Sequence, residues 1–104
     1  MSEQSPAVEV RHNPDAHRYE GYVDGALAGF AAYTESDSMI AFDHTEVDGA
    51  FEGRGVGSAI ARFALDDVRA AGERHVIPVC PFIQRWIERH PDYQVLVHTS
   101  ARLD

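Results

Sequence analysis

MIAFDHTEVDGAFEGRGVGSAIARFALDDVRAAG, residues 39–72, reads as a strand, a glycine-rich turn and an amphipathic helix. Residues 39–47 alternate, with Ile40, Phe42, His44 and Glu46 on one face and Met39, Ala41, Asp43, Thr45 and Val47 on the other, the period of a strand. The turn places Gly53, Gly55 and Gly57 at alternate positions. Ile60, Phe63, Ala64, Val68 and Ala71 then form one helical stripe, and Gly72 is a C-terminal stop. Such a turn aims several backbone N–H groups outward at a helix N-terminus, where the helix dipole also favours negative charge. The stretch therefore predicts an anion cradle suited to phosphate.

Elimination narrows the ligand. A nucleotide-triphosphate loop needs Gly-x-x-x-x-Gly-Lys, and the chain contains no lysine. A dinucleotide fingerprint needs Gly-x-Gly-x-x-Gly, whereas the spacing here is Gly53-x-Gly55-x-Gly57, and the chain is too short for the doubly wound sheet which that fingerprint serves.

Three further segments accompany the loop: His44-Thr45-Glu46-Val47 before it, Pro78-Val79-Cys80-Pro81-Phe82 after the helix, and Arg89-His90-Pro91-Asp92-Tyr93 near the end. In order and spacing the four resemble the GNAT superfamily of N-acetyltransferases, and within it the small single-domain YjdJ-type branch. The resemblance spans roughly residues 8–97. The family loop, Gln/Arg-x-x-Gly-x-Gly/Ala, binds the pyrophosphate of coenzyme A. Gly55, Gly57 and the Arg54-Gly55 pair match it. Glu52 stands where the family prefers Gln or Arg, and an acid beside a pyrophosphate is unfavourable, so Glu52 is not carried over as a ligand.

The resemblance implies an acetyl-coenzyme A-dependent N-acetyltransferase that moves an acetyl group to an amine. Backbone N–H groups at Val47 and at Gly53, Arg54, Gly55, Val56, Gly57 and Ser58 would hold the pantetheine and the pyrophosphate. It also implies a V-shaped gap between the Glu46-Val47 end of one strand and residues 78–80 of another. Only residues 13–16 fill the place where two helices usually build the acceptor site. That predicts an open acceptor side suited to an amine on a protein or another exposed acceptor. The competing reading is a coenzyme A-binding module with little or no catalysis.

At 104 residues the chain reads as one domain, residues 8–104, behind a polar flexible tail, residues 1–7. No apolar run approaches ~18 residues, and the N-terminus lacks the basic start and apolar core of a signal peptide. A cytoplasmic location is the expectation. A net charge of −8, with 17 acids against 9 arginines, argues against nucleic acid as a partner and is compatible with a cationic acceptor. The single cysteine, Cys80, excludes an internal disulfide and a cysteine-based zinc site. The spacing of His12, His17, His75 and His98 suggests no shared metal. Monomer and homodimer both fit.

Along the chain, residues 8–12, 17–23, 26–34 and 39–47 read as an antiparallel meander, with Asp24-Gly25 as a hairpin signal. Residues 75–79 form a short apolar strand, expected parallel to 39–47, with Pro78 marking an edge or a distortion. Residues 82–90 are helical, with Phe82, Ile83, Trp86 and Ile87 at helical spacing, Pro81 in the first turn and Pro91 beyond the end. Residues 93–99 complete the pattern as a last strand. The fold class is α+β (mixed α/β), a sheet backed by two helices.

Four side chains are candidates for chemistry. Cys80 ends a strand just before a helix, where a thiolate is favoured; it either lines the acetyl site or is a small buried hydrophobe. His44 and Glu46 share a strand face; either would suit the removal of the amine proton, or both are surface residues. The resemblance makes Tyr93 a proton donor to the coenzyme A thiolate, against a packing role beneath a helix end.

Overall fold

The computed structural model describes residues 8–97; the expected tail, residues 1–7, lies outside the described residues. Five strands form one sheet in the order β1-β2-β3-β4-β5: β1 (Glu9–Asn13), β2 (Arg18–Val23), β3 (Ala26–Glu35), β4 (Met39–Val47) and β5 (His75–Pro78). The first four pair antiparallel, and β5 joins β4 in parallel. Asp24 and Gly25 make the β2–β3 turn with φ of 51° and 81°, positive at both central positions as a tight hairpin requires.

Helix α1 (Val56–Ala71) crosses from β4 to β5, and α2 (Pro81–Arg89) follows β5. Gly72, at φ 69°, closes α1 by donating its N–H to the Val68 carbonyl, and Pro81 sits in the first turn of α2. The buried face of α1 is Val56, Ile60, Ala61, Ala64, Leu65 and Val68, a stripe at helical spacing. It packs on β2 and β3, where a Cβ on Gly21 would lie 3.0 Å from the Ile60 side chain. Phe42, Val76, Ile83 and Ile87 fill the space where the two helices meet β4 and β5.

Three expectations change. Phe63 and Ala71 do not lie in the buried stripe. Phe63 is 41% exposed, its ring edge-on to Tyr19 at 6.1 Å, because it sits on the flank of α1 where the sheet ends.

The second change concerns strand faces. Tyr33 pairs with Phe42 but Ala32 pairs with His44, so Asp43 is an extra residue in β4. A bulge of this kind shifts every later side chain to the other face. Thr45 and Val47 therefore join Ile40 and Phe42 on the helix-covered face. His44 and Glu46 still share a face, but it is the opposite one, and their side chains are 58% and 63% exposed.

The third change is at the end of the chain. Residues 93–97 are not an extended strand: Pro91–Leu96 is a 3-10 helix, and only Val97 joins the sheet, by one parallel bridge to Val76. Proline at the first position, with its fixed φ and no N–H, starts such a turn more readily than a strand. Residues 98 and 99 of the expected strand lie outside the described residues.

On the face away from the helices, Glu20 is buried among its strand neighbours. Its carboxylate accepts from Asn13 at 3.0 Å, Arg18 at 2.7 Å and Tyr22 at 2.7 Å. Burial alone would raise its pKa, but these three donors together hold it below the ordinary carboxylate value.

Candidate active site

The site begins where β5 stops. Pairing of β4 with β5 ends at Phe42 and Pro78, since proline has no N–H to continue a ladder. Val79 folds back on Ile77, and one last bond runs from the Cys80 N–H to the Phe42 carbonyl at 2.8 Å. β4 continues alone to Val47, so a wedge opens between the strands. Asp48 donates to the Ala28 carbonyl, on the β3 side. Strand alternation then turns the Val47 N–H toward the wedge, as expected for a donor to an extended ligand.

The glycine turn closes one side of this wedge. Gly53 and Gly55 have φ of 81° and 77°, a conformation that side chains with a Cβ rarely adopt. Gly55 is the N-cap of α1 and makes no side-chain cap. The first intrahelical bond runs from Ala59 to Gly55 at 3.0 Å, leaving the N–H groups of Val56, Gly57 and Ser58 without intrahelical partners. These donors sit at the positive end of the α1 dipole. The turn thus has the backbone geometry that an anion cradle requires.

Loop and helix α2 together wall a groove of about 350 Å³. Val47, Gly53, Gly55, Val56, Gly57 and Ser58, six of the seven residues expected to bind the cofactor, line one wall. The seventh, Arg54, lies outside that lining, its guanidinium 5.9 Å from the centre of the Phe51 ring. Glu52, discounted as a ligand, does line the groove. The opposing wall is Phe82, Trp86, Arg89 and His90. Gly57 lets the walls meet: a Cβ there would lie 2.9 Å from the Phe82 ring.

Sequence reasoning missed most of that second wall. Trp86, which the sequence placed only at helical spacing with Ile83 and Ile87, is 5% exposed and donates from Nε1 to Ser58 Oγ at 2.9 Å. Ser58 thereby keeps its own O–H as a donor. His90 stacks on Trp86 with ring centres 3.9 Å apart, and its Nδ1 lies 2.7 Å from the Trp86 carbonyl. A carbonyl only accepts, so Nδ1 carries a hydrogen. The Arg-His-Pro segment was a visible signal for these residues, but the side-chain geometry was not.

Cys80 sits at the N-cap of α2, 5% exposed. Its Sγ lies 3.4 Å from Thr45 Oγ1, a partner the sequence did not reveal because the bulge had not been foreseen. Burial pushes the thiol pKa up. The Thr45 hydroxyl and the backbone N–H groups of Ile83, Phe82 and Thr45 outweigh burial and bring it below the ordinary thiol value. Cys80 is thus buried, as the second sequence reading has it, with its thiol pKa held below the ordinary value.

Replacing Thr45 with valine keeps the shape and removes one donor, so the Cys80 pKa is expected to rise. The thiolate absorbance of Thr45→Val, followed in a pH titration, should therefore appear at higher pH than that of the wild type. An unchanged titration would remove Thr45 from the account.

The other candidates are elsewhere. His44 Nε2 and Glu46 Oε2 are 3.2 Å apart, on the sheet face away from Thr45 and Cys80. Tyr93 does not line the groove. Its ring packs edge-on against Trp86 and its hydroxyl donates to Asp66 at 2.7 Å. The bond to Asp66, followed by burial, raises the Tyr93 pKa. Among the described residues, no group of three or more His, Cys, Asp or Glu is placed to hold a metal, and no helix is long and apolar enough to cross a membrane.

Known proteins are similar to this chain in sequence and in fold. The profile of a family described as GCN5-related N-acetyl-transferase matches residues 18–96. Protein NATD1 of Gallus gallus is 26% identical over 100 residues, covering 94% of this chain and 90% of that protein. Among solved structures, the ribosomal-protein-alanine N-acetyltransferase from Brucella melitensis biovar Abortus 2308 superposes with a TM-score of 0.58 at 14% identity. That match covers 92% of this chain and 93% of the other and speaks to the fold alone. A nourseothricin acetyltransferase shares 31% identity over 57% of this chain and 36% of its own, with a TM-score of 0.47.

Proposed function

Because this chain belongs to the GCN5-related N-acetyltransferase family, we propose that it transfers an acetyl group from acetyl-coenzyme A to an amine on an exposed acceptor, such as a protein. The observation that carries this reading is the cradle of free N–H groups at Val56, Gly57 and Ser58, which together with Val47 lines the groove. The donors fit a pyrophosphate, and the wedge fits an extended pantetheine arm.

In this reading the first turn of α1 binds the diphosphate, and Gly53 and Gly55 let the main chain approach it closely. The Val47 N–H pairs with the arm as another strand would. When bound, the coenzyme supplies an activated thioester at the Cys80 end of the wedge. Thr45 and the N-terminus of α2 favour negative charge at Cys80 Sγ. In this reading the Cys80 thiolate attacks the thioester carbonyl and coenzyme A leaves as thiolate; the neutral amine then attacks the Cys80 thioester, releasing the Cys80 thiolate as the amine gives up its proton. The alternative role for Cys80 is to line the acetyl site without being acylated. The open acceptor side is supported by the single 3-10 turn, Pro14–Ala16, between β1 and β2.

A second reading, a coenzyme A-binding module with little turnover, draws on two observations. The Tyr93 hydroxyl is held by Asp66, and His44 and Glu46 face away from Cys80. Under the catalytic reading a base from the acceptor or from solvent takes the amine proton.

Calorimetric titration of acetyl-coenzyme A tests both. Saturable binding is expected for the wild type. At Gly55 a Cβ meets nothing within 4 Å, so the tryptophan of Gly55→Trp has room to enter the groove. The positive φ costs the fold about 1–3 kcal/mol, and affinity is expected to fall at least ~100-fold, about 2.7 kcal/mol. Mass spectrometry of the same samples, with and without an amine acceptor, reports acetylated Cys80 and acetylated product. Binding without product supports the module. No binding by the wild type overturns both readings.

A further inference from the structure

β1 is the outer strand of the sheet, and among the described residues nothing pairs with its free side. An unpaired row of N–H and C=O groups is a template for another chain, which edge strands commonly blunt with lysine, proline or a bulge. β1, with the sequence EVRHN, has no lysine or proline, and its five pairs with β2 run without a register shift. Its charges are arranged symmetrically, Glu9 and Arg11 flanking Val10.

We propose that β1 pairs antiparallel with β1 of a second copy of this chain, about a twofold axis through Val10, joining two five-stranded sheets into one. In that register Glu9 lies opposite the partner subunit's Arg11, and Arg11 opposite the partner subunit's Glu9. Opposite charges directly across an antiparallel pair stabilise it, and like charges destabilise it. Pairing centred on Glu9 or on Arg11 would set like charges face to face, so charge selects the Val10 register. Within one copy Glu9 and Arg11 already bond each other at 3.0 and 3.2 Å. Their side chains remain 64% and 55% exposed, and each keeps capacity for a second partner.

The helix-covered side of the same edge supplies an apolar contribution. Val8, Val10, Ala59 and Phe63, with Arg62 and Asp66 at its rim, line a shallow recess of about 330 Å³ beside the strand. Phe63, which does not face the core, is the large apolar side chain beside this edge. A twofold through Val10 sets the recess of one copy against that of the other, as an isologous interface requires. The groove lies between the glycine turn and α2, beyond the end of β4 and away from β1, so it stays open in both copies. The proposal does not depend on what the groove binds.

Light scattering and sedimentation of the full chain over a concentration series test it, with circular dichroism to confirm folding. The wild type is expected to reach the mass of two chains. Glu9→Arg and Arg11→Glu each create facing like charges and should weaken association at least tenfold. Mixing the two variants sets two glutamates against two arginines and should restore the dimer as a heterodimer. The double exchange, Glu9→Arg with Arg11→Glu, should restore it as a homodimer. Phe63→Gln, at an exposed helix position, should weaken the dimer without unfolding the chain. A wild type that stays monomeric, or single reversals that associate as tightly as the wild type, would overturn the proposal.

Discussion

Phe42→Ala is expected to cost about 3–5 kcal/mol of folding stability, the range for emptying a buried aromatic site. Phe42 is fully buried, and its ring is tilted against Tyr19 and edge-on to Tyr33, at 6.2 Å each. It lies where the β4–β5 pairing ends, so its carbonyl also receives the last bond from Cys80. The surrounding strands are held by hydrogen bonds on both sides, which limits how far they collapse into the cavity. A domain of this size has a total stability of about 5–15 kcal/mol, so the loss is a large share. Chemical denaturation of the wild type and the variant measures it. A cost below about 1 kcal/mol would mean that the site repacks and that Phe42 does not hold the wedge in place.

The second large effect is expected at Gly29. A Cβ there would lie 2.6 Å from the Glu46 carbonyl oxygen and 3.2 Å from the Val47 Cα. These are main-chain atoms, so no side-chain rotation relieves the overlap, and β4 has to move. Gly29→Ala is expected to lose about 2–3 kcal/mol, the upper part of the range for overpacking. Because the displaced residue is Val47, acetyl-coenzyme A affinity should fall as well, by at least ~10-fold or about 1.4 kcal/mol. Gly49→Ala is the control, since a Cβ at that nearby position meets nothing within 4 Å and the change should stay within about 0.5 kcal/mol. A Gly29→Ala protein as stable as the control would show that the two strands yield freely here.

Much of this was legible from local signals that nothing distant overrides. Asp24-Gly25 specifies a tight hairpin wherever two strands flank it, and Gly72 and Pro81 mark helix ends through their own backbone preferences. The alternation of Tyr19, Gly21 and Val23 against Arg18, Glu20 and Tyr22 survives intact in β2. The glycine turn was legible because a cradle of free N–H groups needs the backbone angles of Gly53 and Gly55.

What failed depended on neighbours. Asp43 bulges because β3 and β4 pair out of step, and aspartate there carries no mark of it. One unrecognised residue exchanged the faces of His44 and Thr45, and with them the candidates for contact with Cys80. Val95-Leu96-Val97 is a short apolar run like that of a buried strand, yet Pro91 commits the chain to a tight turn just before it. Phe63 belongs to the helical stripe by period, but the sheet is too narrow to cover it.

The order of the strands has a consequence for how the protein assembles. β1 to β4 are joined by successive short connections, so their contacts are close in sequence and form quickly. β5 reaches β4 only after the intervening loop and all of α1 have been ordered, a closure with a larger entropic cost. The groove is not complete until that step, because its second wall, Phe82, Trp86, Arg89 and His90, lies on and just after α2, which follows β5. A chain halted before β5 docks has a nearly complete sheet and only one wall of the groove. Ligand in solution therefore binds only the finished fold and draws the population toward it by mass action.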